Sequence, residues 1–235
     1  MKKFIIVLLS FMFINDSLTQ DLKSLAITTK TNREFSYTDK KFGYFYGATH
    51  TKTKREYFTG WNINMKRVLY DYALFINKKV LNRKNCTAKV FPHKLERYYK
   101  NCIEELFLFD DKPILCIKIN TKERNEIGIK ILGNLDTLIE VNSNGFLFKP
   151  KESEEGLILL STINEGKFFT NYDIINTNSS SKGFVFIFGK DKSEINFLLN
   201  DFRKNHVRWL SERESRMSKL ISETNYFKCD NEIIE

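Results

Sequence analysis

The sequence predicts an all-β protein, a large antiparallel β-sandwich followed by one long C-terminal α-helix. Three observations predict it. From about Leu25 to Gly189 apolar residues recur at period two, broken at short intervals by turn residues. From Asp191 the period changes to three and four residues and holds to Glu223. The composition, 42% hydrophobic and 14% aromatic with only 3 Pro and 10 Gly, is that of a packed domain.

The N-terminus reads as a targeting segment. Met1-Lys2-Lys3 is basic, Phe4 to Ile14 is apolar apart from Ser10, and Ser17 and Thr19 supply small residues before a cut at Gln20. The apolar run is shorter than the ~20 residues of a transmembrane helix, and no Cys follows it to carry a lipid. Residues 1–19 are therefore expected to be a signal peptide. The mature chain is expected to be exported, periplasmic or secreted, without a stable membrane anchor.

Residues 20–190 form the expected sandwich, with roughly a dozen strands in two antiparallel sheets. "ALFINKKVLN" reads as a tight hairpin turning at Asn77-Lys78. "ELFLFDDKPILCIKIN" gives two strands around Asp110-Asp111-Lys112-Pro113, where acidic side chains and a preset φ favour a turn. "NEIGIKIL" puts Ile127, Ile129 and Ile131 on one face. "EVNSNGFLFK" turns at Asn144-Gly145, a strong hairpin signal. "KGFVFIFG" closes the set as a buried strand.

Residues 191–223 form the expected helix. Ile195, Leu198, Leu199, Phe202, His206, Trp209, Leu210, Met217, Leu220 and Ile221 make its apolar stripe. Asp191 with Glu194 three residues on is a capping box. At 1.5 Å per residue the helix is about 45 Å long. A sandwich of this size is about 35–40 Å across, so the last two turns are expected to lack cover from their own domain.

The net charge of +9 does not point to nucleic acid. The basic residues are scattered among acidic ones, with no run of five or six, which describes a solvated surface. Cys86, Cys102, Cys116 and Cys229 lack zinc spacing. Export would permit a disulfide, and Cys86 with Cys102, which flank one hairpin, is the expected pair; Cys116 reads as a core thiol. Asn85-Cys86-Thr87 and Asn178-Ser179-Ser180 match the glycosylation sequon, but the signal peptide has a bacterial layout.

No catalytic constellation is apparent. Asp110 and Asp111 are explained by their turn, and Glu104 and Glu105 alternate across a strand. Glu152, Glu154 and Glu155 lie in a loop. Glycoside hydrolysis needs two carboxylates facing each other across about 5–9.5 Å. His50, His93 and His206 are dispersed, and no metal or cofactor motif is present.

The stretch "YGATHTKTKREYFTGWN" mixes aromatic, basic and hydroxyl side chains. In one reading Tyr46, Tyr57 and Trp61 belong to two strands, and the residues between are a polar connection. In the other, Tyr46, His50, Tyr57 and Trp61 contact a sugar, rings against its apolar face and polar groups on its hydroxyls.

That stretch, with "VLYDYALFINKKVLNR", "FPHKLERYYKN", "EELFLFDDKPILCIKI" and the helix "RKNHVRWLSERESRMSKLISETNYFKCDNEII", resembles the front end of bacterial glycogen-debranching-type enzymes. These are amylo-α-1,6-glucosidases of the six-hairpin group. The resemblance spans about Phe42 to the C-terminus and includes no catalytic motif. It implies a super-β-sandwich, a linker helix over 191–223 and, in 224–235, the entry to a helical catalytic barrel that would carry the catalytic carboxylates. The chain is then expected to be a non-catalytic sandwich fragment. Its expected partners are a glycan and a helical barrel, in the same or a separate chain. A stand-alone carbohydrate-binding module and a mutarotase-like enzyme using His50 or His93 are the alternatives.

Overall fold

The computed structural model describes residues 22–133, 135–151, 155–171 and 173–223. The signal-peptide reading, the tail 224–235, Cys229, Glu152 and Glu154 lie outside the described residues. Eighteen strands are found among those described. The first six are β1 (Ile27–Thr29), β2 (Glu34–Thr38), β3 (Gly43–Ala48), β4 (Gly60–Ile63), β5 (Lys66–Leu69) and β6 (Asp71–Ile76). Then follow β7 (Lys79–Val80), β8 (Thr87–Val90), β9 (Leu95–Tyr98), β10 (Cys102–Leu108), β11 (Ile114–Thr121) and β12 (Glu126–Leu132). The last are β13 (Leu135–Asn142), β14 (Gly145–Pro150), β15 (Leu157–Thr162), β16 (Phe169–Asn171), β17 (Ile174–Asn178) and β18 (Gly183–Gly189). One helix, α1 (Lys192–Glu223), follows.

The sandwich is built from three hydrogen-bonded sheets rather than two. A nine-stranded sheet runs β1-β8-β9-β10-β11-β18-β15-β14-β13, and faces a five-stranded sheet, β16-β17-β12-β6-β7, and a four-stranded one, β2-β3-β4-β5. Every paired strand is antiparallel.

The centre of the nine-stranded sheet, β10, β11, β18 and β15, is buried on both faces. Leu106, Leu108, Leu115, Ile117, Phe184 and Phe186 pack into the core shared with the smaller sheets, against Trp61, Tyr72, Ile127 and Ile129. Their alternates Phe107, Phe109, Ile114, Cys116, Val185 and Ile187 pack against Ile195, Leu198, Leu199 and Phe202 of α1. Burial on both faces explains why "ELFLF" and "FVFIF" are continuous apolar runs rather than alternating ones.

Turn chemistry fixes the hairpins. Asn77 and Lys78 take φ of 48° and 66° between the paired Ile76 and Lys79. Asn64 and Met65 do the same, at 49° and 64°, between Ile63 and Lys66. Two consecutive left-handed residues make the type I′ turn that matches strand twist. In the β13–β14 hairpin Asn142 pairs with Gly145, so the turn is Ser143-Asn144, one residue before the expected place. Gly145 instead starts β14 at φ 140°, where a Cβ would lie 2.0 Å from the Leu160 carbonyl oxygen.

Asp191 caps α1 as the sequence predicts. Its Oδ1 accepts from Glu194 N–H (2.9 Å), and Glu194 Oε2 reaches back to accept from Lys190 N–H (2.7 Å). The helix is covered as far as Arg213, and its last two turns, where cover was expected to run out, hold no buried residue. Phe202 is fully buried, and Phe109 meets both Phe202 and Trp209 edge-on at 5.8 and 5.6 Å. Further along, Arg213 is 2% exposed. Leu220 remains half exposed.

The expected Cys86–Cys102 bridge is absent: both are free, buried thiols within the main core, and Cys116 is a buried thiol under α1.

Candidate functional site

Tyr46, His50, Tyr57 and Trp61 do not converge. Phe45 of β3 pairs with Trp61 of β4, and Trp61 is fully buried in the main core, with no ring face for a ligand. Gly60, at φ 102°, lets β4 start against β5, where a Cβ would meet the Leu69 carbonyl oxygen at 2.1 Å. His50 is also buried. Its Nδ1 is 2.8 Å from Thr49 Oγ1 and its Nε2 is 3.1 Å from the Cys86 carbonyl oxygen, so the ring ties the loop to the segment entering β8. Tyr57 lies in a short 3₁₀ turn, largely exposed, edge-on to Phe58 at 5.2 Å. Tyr46 is half-buried on β3. It lines a cavity of about 110 Å³ with Thr53, Thr59, Asp71, Arg83 and Arg97. Small-molecule sites begin at ~300 Å³, so this one is too small for a sugar ring.

Behind that cavity lies a buried ionic network. Glu104 sits in the core and accepts from Arg97, Tyr72 and Tyr99, the last at 2.8 Å. Arg97 also donates to the Thr49 and Ala48 carbonyls at 2.8 and 2.9 Å. Arg83 grips both oxygens of Asp71 at 2.9 Å and lies over the Tyr72 ring at 4.5 Å. Burial pushes the Glu104 pKa up, but the Arg97 and Arg83 charges and the two tyrosine hydroxyls outweigh it and hold the carboxyl below its usual range. Glu105, on the opposite face, is engaged by Lys94 at 3.0 Å and Lys118 at 3.2 Å. Burial raises its pKa as well, and the two lysines again bring it below the usual value. These carboxylates are fixed, ionised partners of cations. A general acid at neutral pH needs the opposite shift.

A wide concavity lies where the edges of two sheets part. It is a cleft of about 1120 Å³ between the β13–β14 turn and the approach to β16, closed on one side by α1. Asn142 and Asn144 come from the turn, Glu165 to Thr170 from the loop and β16, Asn178 and Ser180 from the end of β17, and Arg203 from α1. Phe169 is half exposed, while Phe168 packs edge-on against Phe146 at 5.5 Å. Arg203 Nη1 donates to Asn144 Oδ1 at 3.4 Å and lies 3.9 Å from Glu165 Oε1, while its Nε is buried without a partner. An exposed ring beside amides, a hydroxyl and a guanidinium is the mixture a glycan requires. The sequence signal for it was weak, because each contributor comes from a separate segment.

Among the described residues no group of three or more His, Cys, Asp and Glu is placed to hold a metal, and no helix is long and apolar enough to cross a membrane.

No family model and no curated protein matches the chain. Among solved structures it is similar to one described as "Putative kojibiose phosphorylase from human microbiome", at 8% identity and a TM-score of 0.37. The match covers 86% of this chain but 36% of that one, so the chain spans about a third of its neighbour's length. A likeness this weak carries no chemistry across to the residues above.

Proposed function

We propose that this chain is a non-catalytic sandwich domain of an exported glycoside-processing enzyme of glycogen-debranching type, and that it contacts an α-glucan or related glycan. The cleft beside the β13–β14 turn carries this reading, because there an exposed aromatic ring and convergent hydrogen-bonding groups share one concavity. The paired state of Glu104, Glu105 and Asp110 supports the non-catalytic part, since each carboxylate is engaged by at least one cation.

A second reading is favoured by β13 itself. It is the edge strand of the nine-stranded sheet, and Leu138, Ile139 and Val141 on it are about half exposed. A helical catalytic domain docking along this edge would cover them.

Affinity electrophoresis in gels containing soluble α-glucan, with a parallel assay of sugar release, tests the proposal. The expected result is retardation without hydrolysis or phosphorolysis, and loss of retardation in Phe169→Ala. Free migration in every glycan gel, or release of sugar that one carboxylate substitution abolishes, would contradict it.

A further inference from the structure

The β8–β9 hairpin closes at Phe91 to Lys94, with Phe91 N–H donating to the Lys94 carbonyl at 2.9 Å, and it meets α1 at Glu214. A second cavity, of about 330 Å³, opens there. It shares no lining residue with the cleft described above. Its volume is at the lower end of the ~300–1,000 Å³ typical of small-molecule sites.

His93 lines this cavity and is 3% exposed, yet neither ring nitrogen makes a hydrogen bond. Nε2 lies 3.3 Å from Glu214 Oε1 without the alignment of a hydrogen bond, and Nδ1 has no polar partner. Buried imidazole nitrogens are costly to leave unpaired, so a guest supplying both a donor and an acceptor would relieve the site. Burial, with the charges of Lys94 and Arg213, lowers the His93 pKa to about 4. At neutral pH the ring therefore offers one donor and one acceptor.

The other walls restrict the guest. Leu22, Ala26 and Phe91 supply an apolar side. Lys94 is already bound to Glu96 at 2.7 Å and to Glu105 at 3.0 Å, and Glu96 also accepts from the Tyr98 hydroxyl. An anion entering here would face Glu96 and Glu214, and a cation would face Lys94 and Lys89. A neutral molecule avoids both conflicts, and hydroxyl groups donate and accept at once. We propose that this cavity binds a small neutral polyhydroxy compound, the size of one sugar ring or cyclitol, with His93 hydrogen-bonded to its hydroxyls.

Saturation-transfer NMR on the purified chain reads this directly, with D-glucose and myo-inositol as neutral probes and acetate as the charged one. The expected result is transfer to at least one neutral probe and none to acetate. Measured in the Phe169→Ala background, which disables the other cleft, the transfer should persist, be lost on adding His93→Phe, and be weakened several-fold on adding Glu214→Gln. Because His93→Phe could compromise folding, the His93 ring resonances of the unsubstituted protein give a second readout and should shift on adding the binding probe. No transfer to either neutral probe, as when the cavity holds only water, overturns the proposal. So do equal transfer to acetate, transfer that survives His93→Phe in a folded protein, or His93 resonances that do not move.

Discussion

Arg213 of α1 forms an ion pair with Asp110 at the β10–β11 turn, across 103 residues of sequence. Asp110 also accepts from Arg216 Nε at 2.7 Å and pairs with Lys40 Nζ at 2.8 Å. Arg213 in turn donates twice to the Thr38 carbonyl at 3.2 Å. One carboxylate thus joins the helix to the ends of two sheets. Its pKa is raised by partial burial, and Lys40, Arg216 and Arg213 together bring it below the usual range.

Replacing Asp110 by Ala leaves the Arg213 guanidinium buried without its counter-ion. Breaking a fully buried pair costs about 3–5 kcal/mol. With the Asp110 side chain a fifth exposed, the expected loss is about 2–3 kcal/mol. Urea denaturation measures it, and limited proteolysis should cut first in the second half of α1. Leu220→Glu, on the exposed part of the helix, should change stability by less than about 0.5 kcal/mol.

Acid should destabilise the protein in two stages. The His93 pKa is lowered from 6.5 to about 4 in the fold, so between those values the unfolded chain binds a proton that the folded one does not. Stability therefore falls as pH drops from about 6.5 to about 4, by roughly 2–3 kcal/mol. Glu104, Glu105 and Asp110 have lowered pKa values. Their contribution is present above the unfolded carboxylate range and is lost below it. The urea midpoint measured against pH should lose only its upper stage in His93→Phe.

Trp61→Ala should cost about 3–5 kcal/mol, as for other large core deletions. Tyr57→Ala should be neutral within about 0.5 kcal/mol. Thermal melts of the two variants separate a core hairpin from a projecting recognition loop.

Cys86, Cys102 and Cys116 should resist a thiol reagent in the native protein and react fully once unfolded. Burial pushes the Cys102 thiol up to about 11, which slows it further. Mass spectrometry of the alkylated chain without prior reduction should find all three modified after denaturation.

The hairpins were legible in the sequence because turn chemistry is local: Asn77-Lys78 and the Asp110 turn stand where the residues place them. The capping box of α1 is local too. The division into three sheets depends on pairings such as Ile117 with Phe184, which no local pattern encodes. Periodicity also misreads α1, since its deepest contact beyond Trp209 is made by Arg213, a residue that an apolar stripe passes over. The polar-aromatic stretch from Tyr46 to Asn62 looked like a site because a buried Trp and an exposed Tyr give the same letters. The cleft instead joins Asn144, Phe169 and Arg203 from three separated segments.

The most direct test of the glycan-binding account is a ¹⁵N chemical-shift map of the chain titrated with a linear α-glucan. The account predicts saturable shifts concentrated at Asn142 to Asn144, Lys167 to Thr170 and around Arg203. Shifts confined to Tyr46 to Asn62, or none at all in a folded protein, would contradict it.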